Sequence, residues 1–292
     1  MQGHRSPISL KKTTAPSTST VFLGVELDSI RQCSKLPQEK LSEYSQNIKN
    51  ILHKRTITKR NLQSVIGKLS FSAAVIPARA FLRRLINQLP HASKQHHFIT
   101  LKQDSRLDLK VWYYFMKHYN GITFFRSLNI LDSFTINMCS DACKDGFGAT
   151  YKHRWIQGKY PESWSSLNIV TLELYPIYIM LSLFGTYIQN STVNFLCDNQ
   201  SVCYILNKLT CKDNFTMDII RSLVLSLIKN NIHIIANHIP GKYNTICDRI
   251  SRFQITASDL ELACMDPLQT TIPLTLLPEQ FTIQCNQIYA IH

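Results

Sequence analysis

Apolar positions change rhythm twice along the chain. Residues 1–20 carry Ser, Thr, Pro and Lys with no period and predict a loose arm. VFLGVEL (21–27) alternates apolar positions, and SIRQCSKL (29–36) follows a short polar break, which predicts a hairpin. From Pro37 the spacing lengthens to three and four: Leu41, Tyr44, Ile48, Ile51 and Leu52 mark a helical stripe, with Pro37 where a first turn accepts it. Leu62, Val65, Ile66, Leu69 and Ala73 mark a second helix. Phe81, Leu82, Leu85 and Ile86 mark a third, and Leu107, Val111, Tyr114 and Phe115 a fourth over 101–119. HKRTITKR (53–60) links the first two, and 90–100 reads as a polar loop. Residues 21–133 therefore predict a hairpin ahead of a small helical bundle.

After residue 133 strands return. FTINMCSD (134–141) predicts a strand ending in Asp141, and GFGATYKHRWIQGKY (146–160) two more strands of a meander. A helix over 168–188 with Asn168 as its cap, a strand at 191–198 and helices at 199–208 and 214–229 follow. Strand 231–239, the PGKYN turn and a helix over 245–253 complete the module at 254. An antiparallel start followed by crossovers predicts an α/β fold, a mixed sheet flanked by helices. Residues 255–292, with three prolines and weak periodicity, form an extension to which the pattern assigns no structure.

Composition narrows the class. The 292 residues are 45% hydrophobic and 17% charged, which excludes a solvating, disordered chain. The net charge of +13 is unevenly placed. Residues 1–133 hold 21 basic and 7 acidic side chains, and residues 134–292 hold 11 and 12. Such a split suggests one module that grips a polyanion and another whose carboxylates hold something else; a basic surface kept for solubility is the plainer alternative. The nine cysteines form no CxxC pair and fall mostly in apolar runs, as reduced core residues do. The first residues lack the apolar run of a secretory signal. Leu174 to Cys197 carries no charge, but Pro176 and the polar cluster 189–192 cut the apolar part to about 15 residues, short of the ~20 that span a bilayer. The expectation is a cytoplasmic or nuclear protein, neither secreted nor membrane-bound.

Four carboxylates stand out by position. Asp141 and Asp198 close apolar strands, Glu173 lies early in the first helix of the second module, and Asp248 early in its last. Sites in open sheets gather where strands end and helices begin. If these acids share one edge they repel, and cations between them relieve that repulsion. Hard oxygen ligands suit Mg²⁺, with Mn²⁺ as a substitute, and two such ions support phosphoryl displacement. Taken singly, each acid has an ordinary role: Asp141 can open a turn, Glu173 can be a surface acid, Asp198 with Asn199 can cap a helix, and Asp248 can favour a helix dipole.

SDACKDGFGATY, LELYPI, NFLCDNQSV and HIPGKYNTICDRISR, with acids in the order Asp, Glu, Asp, Asp, resemble the ribonuclease H domain of retroelement reverse transcriptases, of the DIRS-like or related LTR type. KKTTAPSTSTVFLGVELDS, KLPQEKL, TKRNLQSVIGKLSF and ARAFLRRL resemble the primer-grip hairpin, thumb and connection that follow the palm in those enzymes. The resemblance covers about residues 10–254, and its motifs are specific in combination. It implies a ribonuclease H-like mixed sheet flanked by helices, preceded by a hairpin and a helical thumb/connection-like module. It also implies that Asp141, Glu173, Asp198 and Asp248 hold two Mg²⁺ ions with Asp141 bridging, and that Asn244 orders the turn before the last acid. His238, ten residues before Asp248, matches the spacing of a catalytic histidine in cellular ribonucleases H; a polar strand-end histidine is the alternative. The implied reaction is hydrolysis of the RNA strand of an RNA/DNA hybrid. No YxDD sequence occurs, so polymerase activity is not expected from this chain alone, and a palm polypeptide acting in trans is an implied partner.

Lys54, Arg55, Lys59, Arg60, Lys68, Arg79, Arg83 and Arg84 cluster on the first helices, where they suit a duplex backbone without reading its sequence. Ser140, Asn199, Gln200 and Asn244, beside the acids, are candidates for contact with the hybrid, and capping or strand-end hydrogen bonds are their ordinary alternatives. The aromatic run Trp112, Tyr113, Tyr114 and Phe115 suits a core better than a stacking platform. Two other functions compete. One is a non-catalytic nucleic-acid-binding remnant of a degenerate element. The other is a transposase-type nuclease, which the Asp, Glu, Asp, Asp order disfavours.

Overall fold

The computed structural model describes residues 15–118, 123–124, 130–132 and 135–281. The arm before residue 15, Phe134 and the extension after 281 lie outside the described residues. The first apolar run folds on itself rather than pairing as one strand with the next. β1 (Ser19–Phe22) and β2 (Val25–Asp28) are antiparallel across Leu23 and Gly24, which both take positive φ (48° and 81°). A two-residue turn of that kind matches the twist of the strands, and glycine adopts its second position without strain. β3 (Cys33–Lys35) pairs with β2, and β6 (Thr123–Phe124) pairs with β3, giving the order β1-β2-β3-β6.

The helical stripes form as their spacing predicts. α1 (Gln38–Leu52) buries Leu41, Tyr44, Ile48 and Ile51, and α2 (Lys59–Ser72) buries Leu62, Val65 and Leu69. The Thr58 hydroxyl accepts the Asn61 N–H and caps α2. The stretch around residues 53–60 also holds β4 (Thr56–Thr58), which pairs with β5 (Phe98–Thr100) from the expected loop. α3 (Arg83–Gln88) follows a 3₁₀ turn, and α4 (Gln103–His118) packs along α1. Trp112 is fully buried in this core.

In the second module only the end of the expected strand 134–141 is a strand, and a short strand outside the expected span precedes it. β7 (Ile130–Asp132) pairs in parallel with β11 (Ser191–Cys197), a turn spans 135–137, and β8 (Cys139–Ala142) pairs antiparallel with β9 (Gly146–Tyr151). Asn137 at φ 45° explains the break, because a residue in the left-handed region cannot continue a strand. β10 (Arg154–Lys159) pairs with β9, and β12 (Ile232–His238) runs parallel to β11. The expected single mixed sheet is thus two three-stranded ladders, β10-β9-β8 and β12-β11-β7, with β8 beside β11 but not laddered to it.

α5 (Ile169–Phe184) begins at Asn168, whose side chain accepts the Val170 N–H, and it packs on α7 (Asn214–Lys229), β8 and β9. Ile169–Ile188 has the length and composition of a membrane span, yet 67% of its apolar window is buried inside the protein, as in a core helix. α6 (Gln200–Lys208) and α8 (Thr245–Ser251) follow strand ends. The extension contains α9 (Ala257–Leu262), capped reciprocally by Thr256 and Asp259, and Leu260 and Met265 pack on Trp155 and Ile250. Its last described residue, Phe281, is 1% exposed among Trp164, Tyr175, Tyr178 and Phe215. One apolar cluster runs from Leu36 to Phe281 through both modules.

Candidate carboxylate site

β8 places Asp141 opposite Gly148 of β9. A Cβ on Gly148 would stand 2.5 Å from the Ile250 side chain, so the missing side chain is what lets α8 lie against this hairpin. Two amides fix that approach: Gln157 Nε2 donates to the Ile250 carbonyl at 2.6 Å, and Asn244 Nδ2 to the Ser140 carbonyl at 2.9 Å. α8 then brings Ser251 to Asp141, and its hydroxyl donates to Asp141 Oδ2 at 2.6 Å. Asp248, one turn earlier on the same helix, accepts from Arg252 Nε at 2.7 Å.

The other two acids arrive from the opposite side. Asp198 directly follows β11, and Glu173 sits on α5. Asn199 caps α6 with its side-chain oxygen, and its nitrogen donates to Glu173 Oε1 at 3.0 Å. Ligand atoms of Glu173, Asp198 and Cys197 lie within 4.8 Å of one another. The 3₁₀ turn 241–243 closes on Asp198, whose Oδ2 would be 3.4 Å from a Cβ on Gly241.

Electrostatics tie the acids together. Burial pushes the Asp141 carboxyl up to about 6, the nearby charges of Asp198 and Asp248 add to the rise, and the Ser251 hydrogen bond opposes it. Burial lifts Glu173 to about 7, with Asp141 and Asp198 adding and the Asn199 amide opposing. Cys203 beside it, together with burial, holds the Cys197 thiol far above its usual range, so it stays neutral. The two carboxylates of this group are hard oxygen donors, which suit Mg²⁺ or Mn²⁺, and the Cys197 sulfur beside them is a softer one. Glu173 and Asp198 are the carboxylates that stand at ligand distance from one another; Asp141 is linked to both by charge, and Asp248 adds to Asp141 while it pairs with Arg252.

His238 is exposed at the end of β12, and its Nε2 lies 3.2 Å from the Asp198 carbonyl, beside the acids but turned to backbone. Asn244 is buried with its amide on backbone, Ser140 is buried, and Gln200 is exposed at the start of α6. Ser251, Gly148 and Gln157 were not singled out from the sequence. Ser251 had a signal, because three residues after Asp248 it shares that helix face.

The basic candidates divide. Lys54, Arg55, Arg60 and Arg79 are exposed. Lys59 Nζ donates to the Ala92 carbonyl at 2.6 Å, and Lys68 pairs with Glu43 at 2.7 Å. Arg83 is half-buried and lines a hollow with Arg79 and Thr210. Arg84 is engaged by Asp104, Asp108 and Asp218 at 3.7, 3.1 and 2.9 Å. Asp218 lies on α7, and Arg221 of the same helix joins the cluster, so these charges bridge the helical module to the sheet module.

No protein-family model and no curated protein matches the chain. Solved structures do align with 78% of it at 15% identity: the foamy viral protease-reverse transcriptase in complex with RNA/DNA hybrid, at a TM-score of 0.36, and with dsDNA, at 0.35. A dRH form of that protein with ds DNA aligns equally, at 0.35. The chain spans 30%, 46% and 39% of those chains respectively. An overlap this shallow does not fix a family.

Proposed function

We propose that this chain is the part of a retroelement reverse transcriptase that follows the palm, and that its second module is a ribonuclease H-like domain that hydrolyses the RNA strand of RNA/DNA hybrids. The observation that carries the reading is the convergence of Asp141, Glu173 and Asp198 from β8, α5 and β11. Both of the first two are lifted mainly by burial, with Asp198 and Asp248 adding to Asp141, and Asp141 and Asp198 to Glu173. Like charges gathered in a half-buried cleft repel, and a bound cation is one way to relieve that repulsion.

Asp141, Glu173, Asp198 and Asp248 would hold Mg²⁺, with Mn²⁺ as a substitute. When bound, the ion pair supplies an activated water and stabilisation of the leaving oxygen. The protein's own residues hold the ligands still: Ser251 orients Asp141, Asn199 orients Glu173, and Asn244 anchors the turn ahead of Asp248. Exposed Lys54, Arg55, Arg60 and Arg79 would take phosphates of the duplex. A palm supplied by another polypeptide, and work in cytoplasm or nucleus, belong to the same proposal.

Purified protein with Mg²⁺ and a hybrid labelled on its RNA strand tests this. Cleavage that the D141N variant lacks is expected. Salt-sensitive hybrid binding with no cleavage above that variant would instead assign a binding remnant.

A further inference from the structure

α5 carries Glu173 and has Pro176 inside it, three residues further on. Proline has no N–H, so the carbonyl four residues earlier, that of Leu172, loses the donor a regular helix would give it, and the ring pushes that carbonyl aside. A buried carbonyl must find another partner or cost the helix a hydrogen bond. Here the donor comes from outside the helix. Tyr160, just past β10, donates its hydroxyl to the Leu172 oxygen at 2.7 Å. Leu172 is fully buried, and Glu173 is the next residue.

Tyr160 is itself held on several sides. Its N–H donates to the Asp145 carbonyl at 3.0 Å, and its ring stacks on Trp164 and meets Phe147, with centroids 5.5 and 5.2 Å away. Burial raises the phenol well above its ordinary value, so the hydroxyl keeps the proton it donates. β10 is laddered to β9, and β9 to the strand of Asp141, so one hydroxyl ties the helix of one acid to the sheet of another.

We propose that Tyr160 is a positioning residue: its hydroxyl replaces the helix bond that Pro176 removes, and so sets where the Glu173 carboxylate stands relative to Asp141. Its functional weight rests on the carboxylates being a metal site; its geometry does not.

Y160F, P176A and the double variant test it. Y160F should raise the Mg²⁺ concentration for half-saturation in calorimetry about fivefold, the loss of one hydrogen bond, and lower kcat on the labelled hybrid with KM unchanged. P176A restores the helix's own N–H, so the double variant should need Mg²⁺ within about twofold of P176A alone. Y160F binding Mg²⁺ like the parent, or a double variant as impaired as Y160F, would overturn the proposal. Should the parent protein take up no Mg²⁺, the metal-site reading fails by itself. Tyr160 is then judged by amide hydrogen exchange of residues 172–175 in the metal-free protein, which Y160F should speed and P176A restore. Exchange unchanged by Y160F overturns it. If Y160F does not fold, recovery of folding in the double variant supports the proposal, and continued failure sinks it.

Discussion

Asn199 uses both ends of one carboxamide: its nitrogen donates to Glu173 Oε1 at 3.0 Å while its oxygen accepts the N–H groups of Ser201 and Val202 at 2.9 and 3.3 Å. The start of α6 and the orientation of Glu173 are thereby fixed together. N199A should cost about 1 kcal/mol through the lost cap. N199D keeps a capping oxygen but sets a like charge against Glu173, so its loss of thermal stability should be small at pH 5 and larger at pH 8. Equal losses at both pH values would show that Asn199 acts on the helix alone.

Stability of the metal-free protein should fall with rising pH. Asp141 and Glu173 are raised to about 6 and 7 from 3.8 and 4.5, so the folded state binds these protons more tightly than the unfolded chain does. Their contribution is fully present below about pH 4 and is lost as pH rises through about 6 to 7, at most on the order of 6 kcal/mol in all. Mg²⁺ should restore the melting temperature at pH 8 and do little at pH 5, where protons occupy the same oxygens. Differential scanning calorimetry across this range, with and without Mg²⁺, measures both.

D141N removes the repulsion without removing an acceptor for the Ser251 hydroxyl. The metal-free variant should be more stable than the parent at pH 8 by about 1–2 kcal/mol, while Mg²⁺ uptake and hybrid cleavage disappear. A destabilised D141N would mean that Asp141 is held for structure.

Arginines that look alike in sequence should behave differently. R84M leaves Asp108, which is wholly buried, with a diminished set of cations and should destabilise the fold by about 3–5 kcal/mol. R55A and R60A should leave stability within about 0.5 kcal/mol and weaken hybrid binding, each lowering the salt slope by about 1. Denaturant unfolding and binding titrations at two salt concentrations separate the two classes.

Much of this organisation was legible in the sequence, and the exceptions have physical causes. The α1 and α2 stripes and the Asn168 and Asn199 caps are local patterns, each written within one or two turns, whereas α4 buries Leu109, Trp112 and Met116 rather than the expected Leu107 and Tyr114. Asp198 stands out because it follows an apolar strand, as expected; Asp141, expected at a strand end, lies inside β8. The late start of β8, after a turn that ends at Asn137, was not legible, since a left-handed asparagine leaves no mark on the hydrophobic pattern. β4 and β5 have three residues each, too few to show a period, and they pair across forty-odd residues of intervening chain. The basic cluster read as one surface because composition does not record pairing: the carboxylate that meets Arg84 at 2.9 Å belongs to Asp218, in the other module.

The extension should be needed for stability. F281A empties an aromatic box at 1% exposure and should cost about 3–5 kcal/mol, and a chain cut after Gln254 should melt lower still. A cut chain with the parent's melting temperature would show the extension to be an appendage.

The box around Phe281 draws its walls from Trp164, Tyr175, Tyr178 and Phe215, all of which leave the ribosome earlier. During synthesis those rings stand around an apolar hollow until Phe281 emerges to fill it, so this part of the core closes only after the extension has been made. A hollow that stays open in that interval exposes apolar surface to aggregation and chaperones, a hazard separate from the strength of the finished fold.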